Sequence, residues 1–533
     1  MSLLTNLTLV NAKLEAVFRT DSQPNQTLQK TTSIDSTADV DAATEQITET
    51  AHGYTTGTGP VQLTILTGAL PTGLLVLTDY WVVRVDDNDF QLALSRADAI
   101  ASPAVVIDLT VAVGTFTMQL QQSDAFLVID PDYSPDITIL DRDVVASHLS
   151  EVAGATGRKL GVMTFQTEVR SNGGTDGVLA PATGVLLRGC GMSQTKYGET
   201  GNETETIIDD LAIPVNDPTG AFTYTKGVGY AGTRPRVVVL RCTTGGGSGV
   251  AAFTVYSPPV GSQAGVLTSA VVMTDAGAFV LAESASITPT ITTDFAIGDT
   301  FVINLAPAGH FYLPVSSDAE SLSLEMFFAG LKHSMTGARG TFTSEGEAGA
   351  FGTFSWTFTG DFVTPIDEAL PTDQVFETQI PQQVELANVS ALGGQDFPVV
   401  TSLTDPIPTE FALCAQAFSF DIGNDVQPRE CINGANSLEG AVITDRSASA
   451  TFNPESELVA AHPFWTILEN ADRIFFALRV GITQGNVVQF HGLFAQYTGI
   501  SYSDRANIRA NDMTLRLAAS TDAGNDELRI IFC

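Results

Sequence analysis

The chain of 533 residues is long enough for three or four domains of ordinary size, and 44% apolar with 16% charged residues is a globular mixture, not a disordered one. Acids outnumber bases 60 to 25, for a formal charge of −35, and with six lysines in all the chain lacks the cationic surface that holds nucleic-acid phosphates. The 47 glycines, set among Thr-, Ser- and Val-rich stretches, point to strands and argue against a helical bundle.

The first residues, MSLLTNLTLVNAKLEAVFR, have no basic residue ahead of their apolar ones, Lys13 being the first lysine, so they do not read as a secretory leader. Nor does any apolar run reach the 18 or so residues of a membrane span, and no membrane insertion is expected. The expectation is a soluble product of a cytoplasm, in which the sequon Asn6-Leu7-Thr8 is accidental.

Residues 42–121 read as an inserted β-module. Tyr80-Trp81-Val82-Val83-Arg84-Val85 and Phe90-Gln91-Leu92-Ala93-Leu94 flank Asp86-Asp87-Asn88-Asp89, a natural hairpin turn. Those four side chains could offer oxygens to calcium, but the Gly and distal Glu of a helix–loop–helix site are missing, and a turn is the better reading. Alternation in Met163-Thr164-Phe165-Gln166-Thr167-Glu168-Val169 predicts a half-buried strand, and PATGVLLRGCGM (181–192) a short helix.

Residues 222–311 read as a second β-module, poor in acids, with strands at 237–240 and 253–256 around the loop Gly245-Gly246-Gly247-Ser248-Gly249. Within it, Gly227-Val228-Gly229-Tyr230-Ala231-Gly232 matches a dinucleotide-binding spacing, but Pro235 and Val237-Val238-Val239 follow, so the glycines lead into a strand and not the required helix. Further alternating strands are expected at Leu322-Ser323-Leu324-Glu325-Met326, at Phe354-Ser355-Trp356-Thr357-Phe358-Thr359 and at Met513-Thr514-Leu515-Arg516-Leu517. These patterns imply antiparallel sheets with one wet face. In 454–470, Leu458, Ala461, Trp465 and Leu468 stand at helical spacing, limited by Pro463.

No chemistry stands out. Cys190, Cys242, Cys414, Cys431 and Cys533 are odd in number and widely spaced, which suggests neither zinc nor a disulfide framework. His52, His148, His310, His333, His462 and His491 are isolated, without the i, i+4 pair of a helical metal site. Acid pairs such as Glu203/Glu205 and Asp209/Asp210 arise by chance among 60 carboxylates, and there is no Gly-x-Ser-x-Gly elbow. No catalytic, cofactor-binding or metal residues are assigned, no cofactor is expected, and a non-enzymatic protein is anticipated.

Outside the two modules, one stretch is distinctive: LKHSMTGARGTFTSEGEAGAFGTFSWTFTGDFVTPIDEAL (331–370), read as a Thr336-Gly337-Ala338-Arg339-Gly340 turn, a strand, a Gly turn and an aromatic strand ending at Gly360. With it stand KLEAVFRTDSQPN (13–25), DAFLVIDPDYSPDITILDRDVV (124–145), the 181–192 segment, AFSFDIGNDVQPRECING (417–434), AVITDRSASATFN (441–453) and DMTLRLAASTDAGNDELRIIF (512–532). Together they resemble the major tail tube proteins of long-tailed, siphovirus-like bacteriophages, over 1–41, 122–221 and 312–533. The two insertions resemble decorative β-modules of phage tail proteins.

The resemblance implies a mainly β protein: a β-sandwich or barrel-like core with a flanking short helix, divided over 1–41, 122–221 and 312–533, plus inserted modules at 42–121 and 222–311. It implies a virion tail subunit, made and assembled in the host cytoplasm, forming stacked hexameric rings around a genome conduit. Its partners would be copies of itself, a tape measure protein inside, and terminator and baseplate proteins at the ends; DNA would pass without specific binding. A ring of six multiplies the acidic charge sixfold, and carboxylates facing the bore would repel phosphates. Another ring component of the same tail, or a multi-domain β-sandwich glycan-binding protein or hydrolase, is the alternative.

Overall fold

The computed structural model describes residues 8–15, 18–19, 33–52, 54, 56–59, 61–76, 78, 80–94, 98–99, 101–120, 124–143, 152–173, 180–198, 206–209, 211–214, 218–257, 265–370, 381, 388–393, 414–456, 458–459, 464–520 and 523–533. The chain is mainly β, with 57% of it in strands, so sheet pairing and not helix packing organises the core. Alternating sequence becomes one-sided burial. Thr353–Phe362 buries Phe354, Trp356 and Phe358, Ala155–Glu168 buries Met163 and Phe165, and Ile508–Ala518 buries Met513, Leu515 and Leu517.

Seventeen strands join into one antiparallel network that closes as a barrel. Two long strands hold it together by belonging to more than one sheet. Leu331–Glu347 pairs along one edge with Thr353–Phe362, and along the other first with Leu322–Phe328 and then with Ala415–Asp421. Val488–Arg505 lies between Ile474–Val480 and Arg529–Phe532 at its start, then continues as a hairpin with Ile508–Ala518. The barrel interior gathers Val10, Phe165, Leu186, Trp356, Phe420, Phe476, Phe490 and Ile530 and, among the described residues, includes none of 42–121 or 222–311. Trp356 Nε1 donates to Thr167 Oγ1 at 2.9 Å, so the largest buried ring keeps its polar atom satisfied.

Three local expectations are corrected. Residues 336–340 are not a turn. They lie inside the Leu331–Glu347 strand as a bulge, with the register slipping between Thr336 and Arg339. Gly337 makes this cheap because its φ of 61° is one that side chains with a Cβ rarely adopt, so the strand bends without ending. Leu322–Phe328 has no wet face over its first six residues, because Ser323 donates to the buried Glu15 and Lys332 pairs with Glu325. Finally, the second helix starts only at Phe464, immediately after Pro463 in sequence, and buries Phe464 and Ile467; Leu458 is outside it and 81% exposed. The first helix is where the sequence put one: α1, Thr183–Gly189, presses Leu186 and Leu187 into the barrel core. The second is α2, Phe464–Asn470.

Each inserted module folds as two small sheets around its own apolar centre and begins earlier than the expected 42 and 222, since Ile34 and Val40 belong to the first centre and Ile207 to the second. The first combines Ile34–Asp35, Val61–Gly68 and Gly114–Leu120 with a four-stranded sheet containing Trp81–Arg84 and Asp89–Ala93, closing over Ile34, Val61, Tyr80, Phe90 and Phe116. The second sets a five-stranded sheet, including Ile213–Pro214, Arg236–Thr244 and Thr300–Leu305, against a three-stranded one, around Phe222, Phe253, Phe295 and Phe301 with edge-on rings. Both leave the barrel through paired strands. Val10 and Asn11 pair with Phe126 and Ala125 below the first, and Met192–Tyr197 pairs with Gly309–Pro314 below the second.

Candidate assembly surfaces

The second module lies against the barrel wall. Ile213, Val239, Tyr256 and Val302 of its five-stranded sheet share one buried cluster with Phe475, Ala477 and Leu493 of the barrel. Beside this cluster Asp209 accepts from Arg529 Nη1 at 2.5 Å and from Asn304 Nδ2 at 2.9 Å, while Arg479 donates to the Pro235 carbonyl at 3.4 Å. Asp209 and Arg529 are both buried, so each relies on the other to offset lost hydration. His491, on the same barrel strand as Leu493, is buried against the ring of Phe475, and burial together with the Arg529 charge holds its pKa well below the usual histidine value. The described ties of the first module to the barrel are polar, with Lys13 Nζ donating to Thr58 Oγ1 at 3.0 Å.

Residues from 13–25, 331–370 and 441–453 meet at one place. Glu15 accepts from Ser321 Oγ at 2.6 Å and from the backbone N–H groups of Gly337 and Arg19, both at 2.7 Å. Burial pushes its pKa up, and those donors offset part of the rise. Arg19 then pairs with Asp361 and donates to the Leu438 carbonyl, and Arg339 donates to the carbonyls of Ala319 and Ala441. The Asn424–Glu430 and Leu438–Arg446 hairpin is thereby fastened over the bulge by backbone carbonyls accepting from arginines. A guanidinium fork suits such carbonyl acceptors, because its several N–H groups can reach more than one at once.

Two hairpins project. The Ile129–Leu140 strand pairs with Ala155–Glu168 alone among the described residues, and its burial pattern is nearly all exposed. It is an open sheet edge bearing Ile139 at 66% and Leu140 at 53% exposure, with Asp130, Asp132 and Asp136 along it and Asp141 just beyond. At the other hairpin, near the tip of Val488–Arg505 and Ile508–Ala518, Trp465 of α2 leans on Tyr502 with ring centroids 5.5 Å apart, and the Arg509 guanidinium lies 3.5 Å over the Tyr502 ring. At the base of that hairpin a groove of about 590 Å³ is lined by Glu345, Glu347, Phe351 and Asp512 among others.

The residues singled out in the sequence serve the fold. Gly227 opens a connection from Ala221–Lys226 to Arg236–Thr244, a strand and not a helix, and Tyr230 within it donates to the Arg234 carbonyl. Asp86 accepts from the N–H groups of Asn88 and Asp89, which close the hairpin turn and lower its pKa. His52 stacks on Tyr54 and meets Phe90 edge-on, His333 lies against Tyr133, and burial beside Lys196 takes the His310 pKa to about 3. Cys190, Cys242 and Cys533 are buried thiols, and Cys414 is exposed. Among the described residues no three His, Cys, Asp or Glu gather as metal ligands. Asn6, Leu7, His148, Glu203, Glu205, Asp210, His462 and Pro463 lie outside the described residues. The Asp209–Arg529 pair and the Tyr502–Arg509 stack had no sequence signal, since each joins residues that only the fold brings together.

In comparison with known proteins, no family model matches the chain and no curated protein is significantly similar to it.

Proposed function

We propose that this chain is a structural subunit that associates with copies of itself into closed, stacked rings forming the tail tube of a long-tailed bacteriophage. The observation that supports this most is the pair of hairpins that leave a closed barrel and expose strand edge and aromatic surface to solvent. A lone subunit gains nothing from such surface, whereas a ring covers it, and a contact repeated along an axis makes a filament. Sixfold symmetry, a tape measure protein inside, and terminator and baseplate proteins at the ends belong to this reading, as does assembly in the host cytoplasm. The charge of −35 supports an unsticky conduit: carboxylates at the bore would repel DNA within a Debye length of about 8 Å at physiological salt.

Negative-stain microscopy with light scattering on the purified chain tests the reading. Annuli or tubes with a central hole are expected, and a monomer at every concentration would overturn it. The acidic groove of Glu345, Glu347 and Asp512 beside Phe351 favours a second reading, glycan binding. Titration with oligosaccharides, compared between the wild type and Glu347→Gln, separates the two.

A further inference from the structure

The tip of the C-terminal hairpin and the outer strand of the 129–168 hairpin are complementary surfaces on the same chain. On the first, Tyr502 is 50% and Trp465 38% exposed, yet the two rings already touch, tilted at 48° with centroids 5.5 Å apart, and Arg509 caps Tyr502. A rigid Trp/Tyr/Arg group in water is the composition of a binding hot spot, since its side chains lose little freedom when covered. Ile508, beside Arg509, is 49% exposed and enlarges the apolar area. Across the ladder Asp504 faces Arg509, but Asp504 accepts from the Asn507 N–H, and Arg509 makes no ion pair among the described residues. On the second surface Ile137, Ile139 and Leu140 form a short exposed apolar run, bounded by Asp136 and Asp141. Asp136 is engaged by Arg158 at 2.9 Å, whereas Asp141 has no ion-pair partner among the described residues. One surface is therefore aromatic with an unmatched cation, the other aliphatic with an unmatched anion.

We propose that the Trp465–Tyr502–Arg509 platform of one copy seats on the Ile137–Leu140 end of the outer strand of the next copy, with Arg509 meeting Asp141. This deepens the ring reading and rests on it, since it names the partner as a second copy and the contact as heterologous. In such a contact each copy offers one surface forward and the other back, so the geometry repeats around a ring instead of stopping at a pair. The apolar parts supply burial, and the charge pair sets the direction and suppresses tip-to-tip encounters.

The test is a charge exchange on the full chain, with assembly read by light scattering and microscopy, and folding by circular dichroism. Asp141→Arg and Arg509→Asp should each raise the concentration needed for assembly by about tenfold or more, and Tyr502→Ala by a similar factor. Mixing the two charge variants should restore assembly, because alternating copies then match at every contact, and so should the chain that carries both exchanges. Variants that fold and assemble as the wild type does would overturn this contact and leave the ring reading standing. Loss in both charge variants without recovery on mixing or in the double exchange would overturn it as well. A wild type that never assembles would remove both the contact and the reading beneath it.

Discussion

The two inserted modules are built alike and attached differently. Each is a pair of small sheets with a private core, and each rises from two paired barrel strands. The first meets the barrel through polar groups such as Lys13 and Thr58, and among the described residues no apolar cluster mixes its side chains with the barrel's. The second shares the Val239–Phe475–Leu493 cluster with the barrel wall and closes it with the buried Asp209–Arg529 pair. A private core makes a module stable by itself, but only a shared one makes it part of its host's stability. The second module belongs thermodynamically to the barrel, and the first is a passenger.

Removing each module is the most severe way to break that comparison. Deleting 34–120 should leave a soluble, cooperatively unfolding barrel. Deleting 206–306 should expose Phe475, Ala477 and Leu493 and strand Arg529 without its carboxylate, giving aggregation in size-exclusion chromatography. Asp209→Ala is a smaller cut at the same seam. It leaves a buried guanidinium uncompensated and should cost about 3–5 kcal/mol in denaturant unfolding, most of it recovered when Arg529 also becomes Met.

Acid sharpens the contrast further. His491 at the seam and His310 in the barrel have folded pKa values below the unfolded value of 6.5, that of His310 at about 3. Below pH 6.5 the unfolded chain therefore binds more protons, so stability is full above that pH and declines as pH falls toward about 3. Glu15 and Asp361, with raised values, act in the opposite sense. Melting curves from about pH 7 to about pH 4 should show this loss, and His491→Leu should flatten it. The smallest effect is expected at the first module, where Thr58→Val takes away the acceptor of Lys13 while Lys13 keeps its contact with Asp124, at a cost of about 0.5–1.5 kcal/mol. A loss as large as that of Asp209→Ala would erase the distinction.

The mainly β class was legible in the sequence because burial on one sheet face writes itself as a period of two, as in 354–358 and 513–517. The hairpin at Asp86 was legible for the same local reason: its turn chemistry lies within four residues. What failed was non-local. Leu322–Phe328 alternates in sequence yet is covered on both faces, because Glu15, some three hundred residues away, supplies a partner for Ser323. The glycine at 337 signals a positive φ but not whether the chain turns back or bulges and goes on; that depends on strands available on both sides. At 454–470 the helical spacing was real but its phase was wrong, because the stripe beginning at Leu458 precedes the proline after which α2 starts. The projecting surfaces left no trace, since an exposed Ile139 and a buried one are written identically.

The paired strands beneath each module have a practical consequence. Partners across an antiparallel ladder stand about 5 Å apart, so Asn11 and Ala125 hold the two strands beneath the first module in register, while Ala12–Leu14 and Glu15 beyond them stay bound to the barrel. A foreign domain with neighbouring termini could be grafted in place of 34–120 alone, leaving those anchors intact, and in the proposed tube it would be displayed at a regular spacing.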